Sequence, residues 1–303
     1  MAGITTLIAP TDFSPAADRA TRRAASLAAA FGGTVHLMHV MPPRELLENV
    51  LPGGPAGEAD AIRARVEQAL QSRAQRLGAQ LKVPPTYGLY SGHAHRSILD
   101  SAESMNADLV VLGAWGEHEG TVTREALGGT ALKVAERNCA ATLLVRREPH
   151  ASYSRVLGCA RGGASDRVVL DWANRLAPED LVHIVSAYSV AYEGRLLEWG
   201  ASQSTLDVYA GRERDARTRL LLDLMTGLAI PAARVRMHVT RGDPLQVILQ
   251  TAAQCEAELI VVGRRAGVES LPAGPFGSVA RQVALRAAAD VLIVAPPRGA
   301  VAL

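Results

Sequence analysis

Aromatic side chains make up only 4% of the 303 residues, with three Trp, six Tyr and three Phe. A surface that stacks single-stranded bases needs such rings in number, so nucleic acid is poorly served as a partner. Charge of one sign is missing too, since 32 Lys and Arg stand against 30 Asp and Glu for a formal net charge of +2. That balance supplies neither the basic footprint of a DNA-binding domain nor strong attraction to an anionic membrane. Cysteine is confined to Cys139, Cys159 and Cys255, an odd number whose spacing fits neither a zinc site nor a disulfide framework. They read as small core residues in a reducing compartment. No apolar run approaches the ~20 residues that cross a bilayer. The opening MAGITTLIAPTDFS lacks the basic region and apolar core of a signal peptide and reads as a first strand. The expectation is a cytoplasmic protein with no nucleic-acid and no membrane partner.

Catalytic signatures are also absent. There is no Gly-x-Ser-x-Gly elbow, no His-Glu-x-x-His, and no Lys in a glycine loop of the kind a Walker A motif requires. His36 and His39 fall on opposite faces of an extended segment and make poor co-ligands. His93 and His95 have no Cys or carboxylate cluster beside them and read as a loop and a helix start.

What the chain does have is a glycine-bearing loop, twice. Leu109–Leu112 is an apolar run that breaks at Gly113, with Gly116 following. Gly128-Gly129-Thr130 then stands ahead of a helical pattern through Ala131, Leu132, Val134 and Ala135. A buried strand thus leads to a loop that ends at a helix N-terminus, where bare N–H groups and the helix dipole favour an anion such as phosphate. The arrangement returns 150 residues later: ELIVVG at Glu258–Gly263 matches DLVVLG at Asp108–Gly113, and Gly277-Ser278 again precedes a helix. Arg241-Gly242-Asp243-Pro244 likewise replays Ser91-Gly92-His93-Ala94. The chain reads as a duplicated unit, with domains over 1–148 and 152–303.

Within each copy strands alternate with helices. The first begins Ile4–Ala9, breaks at Pro10-Thr11-Asp12, caps a helix with Ser14-Pro15 and ends that helix at Gly32-Gly33. The second begins Arg155–Ala160, and a polar segment over Glu193–Ser204 precedes its long helix. Five strands per copy in βαβ order predict an α/β fold of two tandem Rossmann-like, doubly wound domains. Each has a five-stranded parallel sheet flanked by helices. Ligands of such sheets sit beyond the carboxyl ends of the strands, where Asp12, Val40 and the loop after Leu112 would lie.

Both halves resemble the universal stress protein family, within the adenine-nucleotide α-hydrolase-like superfamily. Its nucleotide-binding members carry an Asp after the first strand, then Gly-x-x-Gly, nine residues and Gly-Ser/Thr. The resemblance implies that Pro10, Thr11 and Asp12 meet the adenosine part and that Val40 lines the base. Gly113, Gly116, Gly128, Gly129 and Thr130 fall on the phosphate loop. In the second half, Gly263, Gly267, Gly277 and Ser278 fall there. The implied cofactor is ATP or another adenine nucleotide with Mg, for which Asp12 is the candidate ligand. The pattern departs at several places. Eleven residues separate Gly116 from Gly128, and Gly129 stands where the family has Ser. In the second half Arg161 stands 149 residues on from Asp12. Arg161-Gly162-Gly163-Ala164-Ser165-Asp166 approaches the Ser-Gly-Gly-x-Asp-Ser of related pyrophosphatases without its leading Ser.

The leading expectation is a stress-response protein that binds adenine nucleotide mainly in its first half. Dedicated catalysis is not expected, and hydrolysis would at most be slow. An interaction module without nucleotide is the alternative, and an enzyme acting on a phosphorylated small molecule comes third. Family members commonly dimerise through the last strand. The resemblance therefore implies a homodimer, or an intrachain pseudo-dimer through Thr142–Val145 and Asp290–Val294, with a protein partner of unknown identity.

Overall fold

The computed structural model describes residues 3–46, 57–79, 81–114, 127–138, 140–149, 152–163, 165–264 and 277–295. They fall into two compact units, Met1–Ser152 and Tyr153–Leu303. The first runs β1 (Thr6–Pro10), α1 (Pro15–Phe31), β2 (Thr34–Met41), α2 (Glu58–Gly78), β3 (Thr86–Ser91), α3 (Ala94–Ser104), β4 (Leu109–Gly113), α4 (Gly129–Arg137) and β5 (Ala141–Val145). Its strands lie in the order β3-β2-β1-β4-β5, every pair parallel.

The second unit runs β6 (Arg155–Cys159), α5 (Asp166–Leu176), β7 (Leu181–Tyr188), α6 (Glu193–Glu198), α7 (Gln203–Gly227), β8 (Val235–Arg241), α8 (Pro244–Gln254), β9 (Leu259–Gly263), α9 (Ser278–Arg286) and β10 (Asp290–Val294). Its order, β10-β9-β6-β7-β8, is again parallel throughout. The same topology therefore occurs twice.

Continuous apolar runs form the inner strands because helices cover both faces of a parallel sheet. Leu109–Leu112 and all of β5 are buried, whereas β3 at the sheet edge is half exposed. Ser14 caps α1 by accepting from Ala17 N at 3.2 Å, Pro15 takes the first helical position, and Gly32 closes the helix at φ 70°. Gly33 must be glycine because a Cβ there would stand 2.5 Å from the Ile4 carbonyl oxygen.

The acid before each central strand holds the chain entering the first strand of its unit. Thr5 donates to Asp108 Oδ2 through its N–H at 2.7 Å and its hydroxyl at 2.8 Å. Ser154 donates in the same way to Glu258 Oε2, at 2.8 and 3.1 Å.

Two local expectations change. The polar segment from Glu193 contains a short helix, α6, since Tyr188 and Leu196 pack on Val190, Leu206 and Ala210 while Arg241 pairs with Glu193. Gly129 and Thr130 lie inside the first turn of α4 and not ahead of it, which leaves Gly128 as the N-cap.

Candidate functional site

The strand order of the first unit reverses between β1 and β4, and the carboxyl ends of the strands open there onto a cavity of about 180 Å³. Pro10, Thr11 and Asp12 line it from the end of β1, Met38, His39 and Val40 from β2. Ala94 and Ile98 enter from α3, and Leu112 and Gly113 from β4. Gly128, Gly129, Thr130 and Ala131 complete it at the start of α4. Eight of the residues singled out in the sequence thus converge on one cleft. Gly116 and Gly267 lie outside the described residues.

The loop after β1 is held from several sides. Thr11 N donates to the Met38 carbonyl at 2.8 Å, and His39 Nδ1 lies 2.7 Å from the Thr11 carbonyl. The Thr11 hydroxyl oxygen accepts from Phe13 N at 3.0 Å and from Arg73 Nη1 at 3.1 Å. Asp12 Oδ1 accepts from Ser14 N at 3.0 Å. These contacts fix Phe13 at φ 65°, a conformation unusual for a bulky side chain. Its ring lies 4.8 Å from the His39 ring, beneath the Arg73 guanidinium at 5.1 Å, and Arg73 also pairs with Asp18. Burial and the neighbouring Arg76 push the Arg73 guanidinium below its ordinary value, and the Asp12 charge opposes them.

The glycines differ in what requires them. A Cβ on Gly113 would meet the backbone of Ala16 at 2.8 Å, so this glycine serves the close packing of β4 on α1. A Cβ on Gly129 would meet no described residue within 4 Å. Packing does not impose that glycine, and the missing hydroxyl is a change of chemistry alone.

The corresponding cleft of the second unit measures about 260 Å³, and Gly263, Gly277 and Ser278 line it. Arg161 occupies the place of Asp12. The loop donors that follow it are taken by a carboxylate that the sequence shows only as the last residue of a loose motif. Asp166, only 1% exposed, accepts from Arg161 N at 3.2 and 3.1 Å, Gly162 N at 2.6 Å and Gly163 N at 3.2 Å. The signal was present: two glycines ahead of a helix make a concave row of N–H groups, and an acid in the first turn is within reach of them. Burial pushes the Cys159 thiol at this cleft far up, and the Asp166 charge adds to the effect.

The histidines serve the sheet. His36 lies between the Thr86 hydroxyl, 2.8 Å from Nδ1, and the Tyr90 hydroxyl, 2.9 Å from Nε2, while His39 faces Thr11. His183 Nδ1 lies 3.0 Å from His238 Nε2 on the neighbouring strand. His93 stands at the N-cap position of α3 without a side-chain capping bond and His95 sits in its first turn, the loop and helix start expected of them. Among the described residues no group of three or more His, Cys, Asp or Glu gathers to hold a metal ion. No helix among them is long and apolar enough to cross a membrane.

The model of the universal stress protein family matches the chain twice, over residues 3–146 and 152–295. A universal stress protein from Archaeoglobus fulgidus is similar in structure, with a TM-score of 0.70 at 15% identity over 96% of this chain and 98% of its own. A putative universal stress protein from Pseudomonas aeruginosa aligns with a TM-score of 0.67 at 15% identity, covering 97% and 94%. A universal stress protein solved in complex with cAMP matches 48% of this chain and 98% of its own at 21% identity, with a TM-score of 0.38. No curated protein matches the sequence.

Proposed function

The chain belongs to the universal stress protein family, and from that premise we propose that it is a stress-response protein binding ATP or a related adenine nucleotide in the cleft of its first unit. The reading rests on one observation: Pro10, Thr11, Asp12, Val40 and the Gly128–Thr130 turn, apart in sequence, line a single cavity. Its 180 Å³ is smaller than the roughly 300 Å³ at which pockets begin to enclose a drug-sized ligand. The cleft would therefore enclose the base, with ribose near Asp12 and phosphates running out over the N-terminus of α4, whose N–H groups and dipole favour them. Val40, Met38 and Ile98 supply apolar contact for the base.

Asp12 accepts ribose hydroxyls or holds a magnesium ion whose other ligands are phosphate oxygens and water, a set that needs only one carboxylate from the protein. Among the described residues lining the cleft none pairs a nucleophile with a base, and the reading gives the nucleotide a regulatory role. A nucleotide-free interaction module is the second reading. The eleven residues between Gly116 and Gly128, and Gly129 in place of Ser, favour it.

The test is the nucleotide content of heat-extracted protein, followed by calorimetric titration with ATP and magnesium. One adenine nucleotide per chain is expected, and Asp12→Ala should weaken binding about tenfold with little loss of fold in thermal unfolding. No nucleotide and no heat would turn the reading to the interaction module.

A further inference from the structure

We propose that the cleft of the second unit is a separate binding site for a small amphiphilic carboxylate, a molecule with an apolar body and one anionic head. The cavity walls are mainly apolar, with Val185, Ala187, Ile248, Val262 and Val279 among them. At roughly 30 Å³ for a group the size of a water molecule, 260 Å³ holds about nine such groups, the size of a medium-chain carboxylate. Among the described lining residues the charged side chain is the cation Arg161, and Ser278 opens a nine-residue helix there. Both favour a negative head group.

The hydroxyl of Ser165 points the same way. Ser165 is 3% exposed and its Oγ has no hydrogen-bond partner. Ser165 packs against Gly263 as Ala16 packs against Gly113 in the first unit. Alanine thus suffices at this place in the fold, and a buried hydroxyl without an acceptor destabilises it. In the structure Oγ faces Gly263; rotation about serine's single side-chain torsion would carry it toward the cavity that the residue lines, where a carboxylate would accept its hydrogen bond.

The same cleft is poorly made for a nucleotide. The loop N–H groups are engaged by Asp166, and Arg161 replaces the carboxylate that ribose hydroxyls would use. The inference does not depend on nucleotide binding in the first unit.

The experiment titrates the full chain with octanoate, 1-octanol and ATP by calorimetry, with displacement between them. Octanoate should bind at one site per chain, at least tenfold more tightly than octanol, and ATP should not displace it. Ser165→Ala should weaken octanoate about tenfold, the worth of one hydrogen bond to a charged group. It should at the same time hold or raise the urea midpoint of the ligand-free protein. Ala187→Phe should abolish octanoate binding and leave the ATP titration as in the wild type. The proposal is overturned if octanoate does not bind, if ATP competes with it, or if Ala187→Phe has no effect on it. Loss of urea midpoint in Ser165→Ala with unchanged octanoate affinity would overturn it equally. Absence of ATP binding with the octanoate results intact would count against the first-unit reading alone.

Discussion

After β1 and after β6 the chain makes the same turn, and two sets of side chains answer it. In the first unit the loop satisfies its N–H groups locally, Phe13 N on the Thr11 hydroxyl and Ser14 N on Asp12, so the Asp12 carboxylate stays at the mouth of the cleft. In the second, three successive N–H groups converge on Asp166, which reaches back from α5 into a buried position. Ala17 stands where Asp166 would be in the first unit, and it lines the cavity instead. The two loops follow the same course but place an acid differently, Asp12 at the cleft in one and Asp166 behind the loop in the other. One cleft keeps a carboxylate to offer; the other keeps a cation.

The largest effect is expected where the second loop depends on its internal anion. Asp166→Ala leaves three donors without their carboxylate and should cost about 3 kcal/mol in urea unfolding, with ATP binding by the first unit unchanged. An equal loss of ATP affinity would mean that the two loops are not independent. Gly128→Val comes next. Its backbone conformation, φ −57° and ψ 138°, suits valine, so the fold should persist. The added side chain should obstruct phosphate approach and lower ATP affinity at least tenfold.

A pH profile sharpens the comparison further. His36 and His183 hold corresponding places, opposite Ile8 on β1 and Leu157 on β6. Burial lowers the pKa of both, and of His238; the His238 and Arg236 charges lower His183 further. The unfolded chain then binds protons that the folded chain refuses. Stability is complete above about pH 6.5 and falls as the pH drops through and below that value. The second unit carries two such groups facing one another, so His238→Gln should flatten the decline of the urea midpoint between pH 7.5 and 5.5 more than any change at His36. The smallest effect is a gain. Gly129→Ser meets no described residue, places a hydroxyl at the start of α4, and should raise ATP affinity about fivefold in calorimetry.

Most of the architecture was legible because apolar runs, glycine breaks and a repeat at fixed offset all describe the same unit. The strands ending at Gly113 and Gly263 and the turn at Ser91-Gly92 and Arg241-Gly242 stand where their spacing predicts. The roles of particular polar residues were less legible, since they depend on partners far along the chain. Asp108 and Glu258 match in the sequence as members of a repeat, yet only the fold brings them to Thr5 and Ser154. Asp166 was visible as part of a loose motif, but not as the occupant of its own loop. Gly113 read as a phosphate-loop glycine, and the fold shows a packing demand from Ala16. Helix α6 was hidden in a polar segment because it has no buried residue of its own.

The clamp between Thr5 and Asp108 has a consequence in time. Strand β1 lies inside its sheet, yet the neighbour that covers one of its edges and the acid that fixes its start arrive 103 residues later. At a synthesis rate of about 5–20 residues per second, that edge stays open for roughly 5–20 s after β1 is made. Ser154 and Glu258 impose a wait of 104 residues on β6 as well. Each copy of the fold must therefore pass through an interval in which its first strand is half-paired, and a chaperone that holds extended apolar segments would meet this chain twice during its synthesis.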